Sequence, residues 1–356
     1  MQQHVAIIGG SLTGLAAANA LNRLGLSVSV FEKFPATFEK RGSSLGYVDV
    51  PLWESIRGAP MMRFGKRANR SQGAYYYGDL WQYLYDGLPK DIVHFNQTIT
   101  DLGNDALRPT INGVTYDAVI IADGGWSSLR HYVNGSKEPE YAGYFIWRLK
   151  VALEHIPGFY GEGAYNSGKY FIIALNVPTC DGQKYVMGGL AIETPESEAV
   201  RPVIGASRHT EIAPDTAVPD WFLPFVRQTF GRQAGGEVLR WVEACASKGK
   251  ITPQPLFEFM AEKVVSGRII LMGDAAHMAS PRTAAGAHTG ILDVAALAEA
   301  FSQHRNRDRG TIDIDAAIRA YEPEGKLRAR QLYQRSKEVS RELLTVASQR
   351  QKQNDL

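Results

Sequence analysis

The chain has 356 residues, of which 44% are hydrophobic, and a formal net charge of +2. This near-neutral charge argues against a general nucleic-acid-binding protein, which needs a basic face to displace phosphate counterions. The two cysteines, Cys180 and Cys245, give no disulfide framework and no metal-ligand spacing. No signal peptide and no apolar run near the roughly 18 residues of a membrane helix are found, so we expect a cytoplasmic protein without an integral membrane segment.

A strand, a glycine turn, a helix and a second strand are predicted within the first 32 residues. Residues 5–8 form a short apolar run typical of a strand buried on both faces. Residues 15–24 have helical spacing, and residues 28–31 alternate as the next strand. Three glycines lie at positions 9, 10 and 14, and Glu32 closes the second strand. This order indicates a βαβ unit that binds a dinucleotide.

The small residues of this turn have separate roles. Gly9 permits the tight turn and Gly14 lets helix and strand pack closely, whereas Ser11 is small enough for backbone N–H groups to approach a pyrophosphate. Glu32 is placed to accept hydrogen bonds from ribose hydroxyls. The turn alone leaves FAD and a nicotinamide dinucleotide open as ligands. Its candidate cofactor-binding residues are Gly9, Gly10, Ser11, Leu12, Thr13, Gly14, Glu32 and Lys33.

Two later segments resemble a known family. YDAVIIADGGWSSLR, at residues 116–130, predicts a strand that ends at Asp123. GRIILMGDAAHMASPRTAAGAH, at residues 267–288, predicts a strand followed by Gly273, Asp274 and a run of small residues. With the glycine turn, these segments resemble the FAD-dependent aromatic monooxygenases of the p-hydroxybenzoate hydroxylase fold. The segments FIWR, ITPQPLFEF and SPRTAAGAH resemble the branch that contains 2,6-dihydroxypyridine 3-hydroxylase, which acts on hydroxylated N-heterocycles.

The resemblance implies an α/β fold. A Rossmann-like FAD-binding domain of the glutathione-reductase type would be interleaved with a mixed-sheet substrate domain and followed by a C-terminal helix. We expect the FAD-binding domain at residues 1–45, 75–138 and 262–310. The substrate domain would span residues 46–74 and 139–261, and the C-terminal helical segment residues 311–356.

The resemblance also implies cofactor contacts. Gly273 and Asp274 would face the ribityl chain and pyrophosphate of FAD, and Pro281 would sit beside the flavin ring. The helix opening at residue 286 would point its N–H groups at the flavin N1–C2=O edge, where reduced flavin carries negative charge. The residues implied to contact the cofactor are Arg41, Asp123, Gly273, Asp274, Ala284, Ala285, Gly286, Ala287 and His288.

Four positions depart from the family pattern. The family usually has Gly where Ser11 and Ala284 stand, and Asn where His288 stands. Many members also have an Arg where Tyr77 stands, although the dihydroxypyridine branch lacks it. These departures bear on how tightly the flavin is held.

Family members reduce FAD with NADH or NADPH and bind O₂ at flavin C4a, and the resulting hydroperoxide gives one oxygen atom to an electron-rich ring. We therefore expect an FAD-dependent monooxygenase that hydroxylates a small aromatic or N-heteroaromatic substrate. NADH or NADPH would bind transiently, because no second glycine motif appears. We expect no metal and a homodimer.

Substrate-side residues are harder to assign from the sequence. Loss of a phenolic proton would activate the ring, and the candidate bases are His277, His288, Tyr75 and Tyr76. A hydrogen-bonding role within the fold is the commoner outcome for each histidine, and core packing is the commoner outcome for the tyrosines. The two histidines form the candidate catalytic set together with Pro281. The candidate pocket residues are Tyr75, Trp147, Tyr170, Met187, Phe257 and Pro281.

The sequence leaves two other functional hypotheses open. One is a flavoprotein of another reaction class, namely an epoxidase, a reductase or a halogenase, although the W-x-W-x-I-P motif of the halogenases is absent. The other is a non-redox protein whose bound FAD helps it bind or cyclise a ligand.

Overall fold

The computed structural model describes residues 2–36, 43–63, 66–68, 73–135, 137–167, 170–194, 218–306 and 308–354, and only the backbone from residue 345. The strands are β1 His4–Ile8, β2 Ser27–Glu32, β3 Ser44–Leu45, β4 Met62–Arg63, β5 Lys66–Arg67, β6 Tyr75–Tyr76, β7 Val93–Phe95, β8 Thr110–Ile111, β9 Val114–Thr115, β10 Ala118–Ile121, β11 Glu140–Ala152, β12 Gly163–Ser167, β13 Tyr170–Pro178, β14 Lys184–Glu193, β15 Lys250–Met260, β16 Val265–Ser266, β17 Ile269–Leu271 and β18 His277–Met278. The α-helices are α1 Leu12–Arg23, α2 Val50–Arg57, α3 Tyr77–Tyr85, α4 His131–Asn134, α5 Phe222–Phe230, α6 Glu237–Lys248, α7 Gly286–Gln303 and α8 Ile314–Asn354. Short 3₁₀ helices span Lys90–Ile92, Leu153–His155, Gln233–Gly236, Gly273–Ala275 and Pro281–Thr283.

The first sheet has the strand order β16-β17-β10-β1-β2-β7 and is parallel except for β16. Its central strands are apolar on both faces because helices α1 and α7 cover one face, where Ile7 packs with Leu15 and Ile291. Ile8 and Val119 belong to a second apolar cluster on the other face. Burial on both faces explains the near-continuous apolar runs of these strands.

The order β17-β10-β1 makes three strands of the parallel sheet immediate neighbours. All three run in the same direction, so their carboxyl ends lie at one edge of the sheet. The segments that follow Ile8, Ile121 and Leu271 therefore meet at that edge, which is where ligands bind in open α/β sheets.

The second sheet has the order β12-β13-β14-β11-β15-β18, and every pair in it that the structure describes is antiparallel. A mixed sheet was expected in the substrate domain, but the described strands of the second sheet are all antiparallel. The first sheet is the mixed one, because β16 runs antiparallel to β17. One face of the second sheet, which includes Trp147 and Leu190, packs against α5 and α6 through Phe222 and Trp241. We call the opposite face, which carries Tyr144 and Ile146, the inner face.

Helix α8 docks along the body of the protein. The sequence predicts that an apolar stripe docks this helix, and Leu332, Val339 and Leu343 of that stripe are buried. Its other predicted members are Leu327 and Val346, and the Val346 side chain lies outside those that the structure describes. Leu327, predicted to be in the same stripe, is 53% exposed, which corrects that part of the prediction. No helix in the described part of the chain is both long enough and apolar enough to cross a membrane. The division of the sequence into three domains stays a prediction.

Candidate active site

The glycine turn fits against the loop after β10 with almost no spare space. Gly9 has a φ of +106°, and a Cβ atom there would lie 2.3 Å from the Ala122 carbonyl oxygen. A Cβ on Gly14 would lie 1.8 Å from the Gly9 carbonyl oxygen. Only glycine meets both demands, a left-handed backbone and backbone-to-backbone contact. This geometry agrees with the roles expected for the two glycines, namely the tight turn at Gly9 and the close packing at Gly14.

A buried carboxylate and an indole N–H fix the backbone of this turn. Glu32 is 5% exposed, and its Oε2 accepts a hydrogen bond of 2.6 Å from the Gly10 N–H. Its Oε1 accepts one of 2.9 Å from the Phe34 N–H. On the other side of the turn, Trp81 Nε1 donates to the Gly10 carbonyl oxygen at 2.7 Å. A carboxylate has about four acceptor positions, so the two backbone donors leave Glu32 able to accept from ribose hydroxyls as well. Ribose binding by Glu32 stays a prediction.

Two departures from the family pattern contact each other. The Ser11 hydroxyl and the Tyr77 hydroxyl are 2.7 Å apart and hydrogen bonded. Ser11 is the N-cap residue of α1, yet its side chain makes no capping bond to that helix. The serine hydroxyl therefore joins α3 to the glycine turn. Nearby, Leu12 is buried, whereas Lys33 is exposed and lies over the Phe34 ring.

Arg130 holds the other two motif segments together. Its Nε donates to the Ala275 carbonyl oxygen at 2.9 Å, and a terminal nitrogen donates to the Gly125 carbonyl oxygen at 2.7 Å. The guanidinium also lies 3.8 Å from the centre of the Phe259 ring. Burial lowers the pKa of Arg130, but an arginine stays charged at neutral pH. Asp123 opens this loop, and burial raises the pKa of its carboxyl group.

Gly273 and Asp274 face α1 and the start of α7. Gly273 has a φ of +57°, and a Cβ there would lie 2.7 Å from Thr13 Oγ1. The Asp274 side chain has accessible surface, yet burial raises the pKa of its carboxyl group. An accessible group that is nonetheless desolvated faces an enclosed space rather than bulk water. A Cβ built on Gly286, at the start of α7, would have no neighbour closer than Asp274 Oδ1 at 4.0 Å.

The start of α7 offers backbone donors to the same space. Its N-cap, Ala285, makes no side-chain capping bond. The first N–H groups of a helix have no partner within the helix, so those of Gly286 and Ala287 can bind an electron-rich group. The donors, the Asp274 carboxylate and the glycine turn together fit an elongated cofactor that carries phosphates and hydroxyls, as FAD does. Arg41 lies outside the described residues.

His277 belongs to a buried ion-pair network, which argues against its role as a catalytic base. Its Nε2 lies 2.6 Å from Asp293 Oδ2, and Asp293 Oδ1 accepts from Arg328 Nε at 2.9 Å. Burial disfavours a charged imidazole, but the Asp293 carboxylate outweighs it and the pKa of His277 is raised. The network joins β18, α7 and α8 behind the Gly273 loop. A raised pKa and full burial suit a structural ion pair better than proton removal from a substrate.

The segment from Ser280 to His288 borders the inner face of the second sheet. Pro281 and Ala284 are accessible, and Ala284 has a φ of +52°. His288 packs edge-on against Tyr47, with ring centres 5.1 Å apart. The Tyr144 hydroxyl donates to Ser280 Oγ at 2.6 Å. His288 and Pro281 stay predictions as catalytic residues.

Two predicted pocket residues lie on the wrong face of the second sheet. Trp147 packs 4.7 Å from Phe222 of α5, and Tyr170 packs 4.7 Å from Phe225 of the same helix. Successive side chains of a strand point to opposite faces, so neither can line a space on the inner face. This geometry corrects both assignments.

The other candidate wall residues are placed differently. Met187 is on the inner face and packs with Ala74. Phe257 contacts the Trp126 ring with centres 4.7 Å apart, and Tyr75 is buried beneath the Arg63 guanidinium. Sequence reasoning missed Tyr144 and Arg148, which lie on the inner face. Apolar residues alternate along this strand at positions 145, 147, 149 and 151, which indicates that they point to the core. This pattern could have assigned residues 144, 146, 148 and 150 to the inner face.

Two family models match the chain. The model described as FAD binding domain matches residues 191–336, and the one described as pyridine nucleotide-disulphide oxidoreductase matches residues 4–41. The first match includes the Gly273 loop and the start of α7, and the second includes the glycine turn.

Curated relatives align over most of the chain. The 6-hydroxynicotinate 3-monooxygenase of Bordetella bronchiseptica is 26% identical over 89% of this chain and 86% of its own length. The 2,6-dihydroxypyridine 3-monooxygenase of Paenarthrobacter nicotinovorans is 25% identical over 85% of this chain and 83% of its own length. The resemblance inferred from the motifs is thereby confirmed.

Solved structures share the fold. The 2,6-dihydroxypyridine-3-hydroxylase of Arthrobacter nicotinovorans superimposes with a TM-score of 0.75 at 20% identity, covering 96% of this chain and 93% of its own. Klebsiella pneumoniae HpxO, complexed with FAD and uric acid, gives 0.70 at 19% identity and covers 97% and 91% of the two chains. The predicted α/β fold is confirmed, and the matched FAD binding domain agrees with the predicted cofactor.

Proposed function

We propose that this chain, which has the fold and the FAD binding domain of the FAD-dependent aromatic monooxygenases, hydroxylates a small aromatic or N-heteroaromatic compound. The balanced reaction is Ar–H + O₂ + NAD(P)H + H⁺ → Ar–OH + NAD(P)⁺ + H₂O. The observation that carries the proposal is the convergence of three loops, those that follow β1, β10 and β17, at one sheet edge. The names of the aligned relatives support this class of reaction and of substrate.

The residues of the three loops would hold FAD, and each has a distinct part. The glycine turn would present backbone N–H groups to the pyrophosphate, and Glu32 would accept from the ribose in addition to its backbone donors. The accessible Asp274 carboxylate would accept from ribityl hydroxyls. The N-terminus of α7 would donate to the flavin edge on which negative charge builds up. When bound, FAD supplies electron storage and the activation of O₂.

The second sheet would close the reaction space against water. Tyr144 contacts Ser280, and the Arg282 guanidinium lies 5.1 Å from the centre of the Phe171 ring. These contacts bring the inner face against the Pro281 segment, so a flat substrate could be held between sheet and cofactor. Exclusion of water protects a reactive oxygen donor from side reactions and strengthens polar contacts with the substrate. His288, on α7, is our candidate for the group that takes the phenolic proton.

The test uses the purified protein loaded with FAD. We expect flavin absorbance bands, and we expect NADH or NADPH to reduce the flavin anaerobically many-fold faster when one of a panel of hydroxypyridines, phenols and quinolones is present. With O₂, the stimulating compound should be recovered with one added hydroxyl group. Reduction without hydroxylation by any panel member would refute the monooxygenase assignment, and failure of both nucleotides to reduce the flavin would indicate a non-redox role. Asp274→Asn serves as the comparison variant and should retain less FAD.

A further inference from the structure

The Arg148 guanidinium, on the inner face of the second sheet, has no partner among the residues that the structure describes. Arg148 lies near the middle of β11, opposite Gly189 of β14 and Thr252 of β15. Its neighbours in sequence, Trp147 and Leu149, point into the core beneath α5 and α6, so Arg148 points to the inner face. Within the part of the chain that the structure describes, it forms no hydrogen bond and no ion pair.

This guanidinium is exposed at the surface of the inner face, yet it is desolvated by the protein around it. The Arg148 side chain is accessible, yet burial lowers its pKa, which is the combination also found at Asp274. An arginine nevertheless keeps its charge at neutral pH. A desolvated charge without a counter-charge is costly, and proteins keep such groups mainly where a ligand completes them.

The residue that pairs with Arg148 across the sheet is a glycine. Gly189, directly across from it, faces the inner side, and a Cβ there would lie 2.7 Å from Ile146 Cγ2. The glycine thus keeps the sheet surface flat beside the guanidinium. Lys150, the next residue on the same face, differs because its Nζ lies 4.3 Å from the Tyr185 ring centre and 5.0 Å from that of Tyr76.

Arg148 also lies between two places where the inner face meets the FAD side. At one end, Tyr144 hydrogen bonds to Ser280, directly before Pro281. At the other end, Met187, which pairs with Lys150, packs against Ala74. The guanidinium therefore opens onto the space between the inner face and the proposed flavin position.

We propose that Arg148 binds the carboxylate of an aromatic substrate and so orients the ring against the flavin. This inference rests on the proposed function and narrows its substrate to an aromatic carboxylate. The planar guanidinium fork matches a carboxylate through two parallel hydrogen bonds, and a carboxylate is ionised throughout the neutral pH range. A ring hydroxyl offers one oxygen and must first ionise, so it completes the site less well.

The test compares ligands that differ only by a carboxylate. The FAD-loaded protein is titrated without NAD(P)H with 6-hydroxynicotinate against 2-hydroxypyridine, 4-hydroxybenzoate against phenol, and 4-hydroxyquinoline-2-carboxylate against 4-hydroxyquinoline, and Kd is read from the flavin absorbance. We expect at least one pair to favour the carboxylate. Arg148→Gln should then raise the Kd of that carboxylate by roughly 10- to 100-fold and change the Kd of its partner little.

Two variants separate this contact from a general effect of charge. Lys150→Gln removes a positive charge two residues away and should keep the preference for the carboxylate. Arg148→Lys should recover part of it, because an ammonium group pairs with a carboxylate without the fork geometry. The proposal is overturned if no pair favours the carboxylate, or if Arg148→Gln retains the preference.

Stability provides a second, independent readout. Arg148→Met replaces a desolvated charge, which has no partner among the described residues, by an apolar chain, so the thermal midpoint of the ligand-free protein should rise by about 2 °C or more. A lower midpoint would show that the guanidinium serves the fold, and would also overturn the proposal. Neither measurement requires turnover, so hydroxylation could fail while carboxylate binding at Arg148 holds, and the reverse outcome is equally distinguishable.

Discussion

The two sides of the proposed reaction space are built in opposite ways. On the cofactor side, Glu32 fixes the glycine turn, and Arg130 joins the loop after β10 to the loop after β17, through hydrogen bonds that are already present. On the substrate side, the inner face of the second sheet presents Arg148 without a partner in the described structure. A cofactor that stays bound favours a rigid, preformed site. A substrate that binds and leaves in each cycle favours a charged side chain, such as Arg148, that is paired only while the substrate is bound.

The largest expected effect tests how rigidly the cofactor side is held. Asp293→Asn keeps the shape of the side chain but leaves the buried His277 without its carboxylate and leaves Arg328 with the exposed Glu324 alone. Breaking a buried pair in this way costs about 3–5 kcal/mol of the free energy of unfolding. Denaturant unfolding measures the loss, and the variant should also retain less FAD, because Asp293 Oδ2 accepts from the Gly273 N–H at 3.3 Å.

The half-exposed pair of Arg268 and Asp315 provides the control for this prediction. Asp315 also contacts an arginine, at 2.7 Å, but its side chain is 42% exposed. Asp315→Asn should cost less than about 1 kcal/mol, since water screens such a pair. Equal losses from the two variants would show that the buried network does not hold the Gly273 loop more firmly than a surface contact does.

The next largest effect concerns the contact between the glycine turn and the β10 loop. Gly9→Ala adds both a disfavoured left-handed backbone and an overlap with the Ala122 carbonyl, so we expect a loss of about 2–4 kcal/mol in unfolding free energy. Gly182→Ala is the matched control, because Gly182 has a φ of +88° and no atom near its missing Cβ. It should show the backbone cost alone, about 1 kcal/mol. If both variants lost the same stability, the close approach at Gly9 would be irrelevant.

The buried pair also predicts a pH dependence. The pKa of His277 is raised above its ordinary value of 6.5 by the Asp293 carboxylate, despite burial. Its stabilising contribution is therefore complete below pH 6.5 and is lost as the pH rises through the higher folded-state pKa. As the pH rises above 6.5, the thermal midpoint of the wild type should fall more steeply than that of His277→Gln. Parallel curves would mean that the histidine does not carry this charge in the folded protein.

The same contrast decides how much the sequence could predict. The cofactor side was predictable because left-handed turns and close backbone contacts at Gly9 and Gly273 require glycine, and that need appears as a motif. The inner face was not, since Trp147 and Arg148 are neighbours in the sequence and only strand pairing and helix packing decide which one faces the core. The ion-pair network of His277 was not predictable for a related reason, because its partners, Asp293 and Arg328, lie far away in the sequence.

A smaller effect tests whether Ser11 and Tyr77 act as a pair. Tyr77→Phe removes the 2.7 Å hydrogen bond between their hydroxyls, and a neutral bond of this kind contributes about 1 kcal/mol, or roughly a fivefold weaker FAD affinity. Flavin fluorescence titration measures the change. Tyr83→Phe is the control on the same helix, because the Tyr83 hydroxyl donates to the Ala59 carbonyl, away from the turn. It should lower stability without changing the FAD affinity, and an equal loss of affinity would argue against a specific role for the pair.

The smallest effect concerns Ala284, where the two sides of the reaction space meet. Its φ of +52° suits glycine, so Ala284→Gly should relieve strain and stabilise the protein by up to about 1 kcal/mol. Ala234 has a φ of +48° and belongs to the 3₁₀ helix before α6, so Ala234→Gly should give a similar gain in the thermal midpoint. Only Ala284→Gly should also change the flavin absorbance or its response to a bound ligand, because Ala284 lies next to Ala285, the N-cap residue of α7. If both variants changed stability alone, the effect of Ala284 would be limited to local backbone strain, and Ala284 would not influence the flavin or the bound ligand.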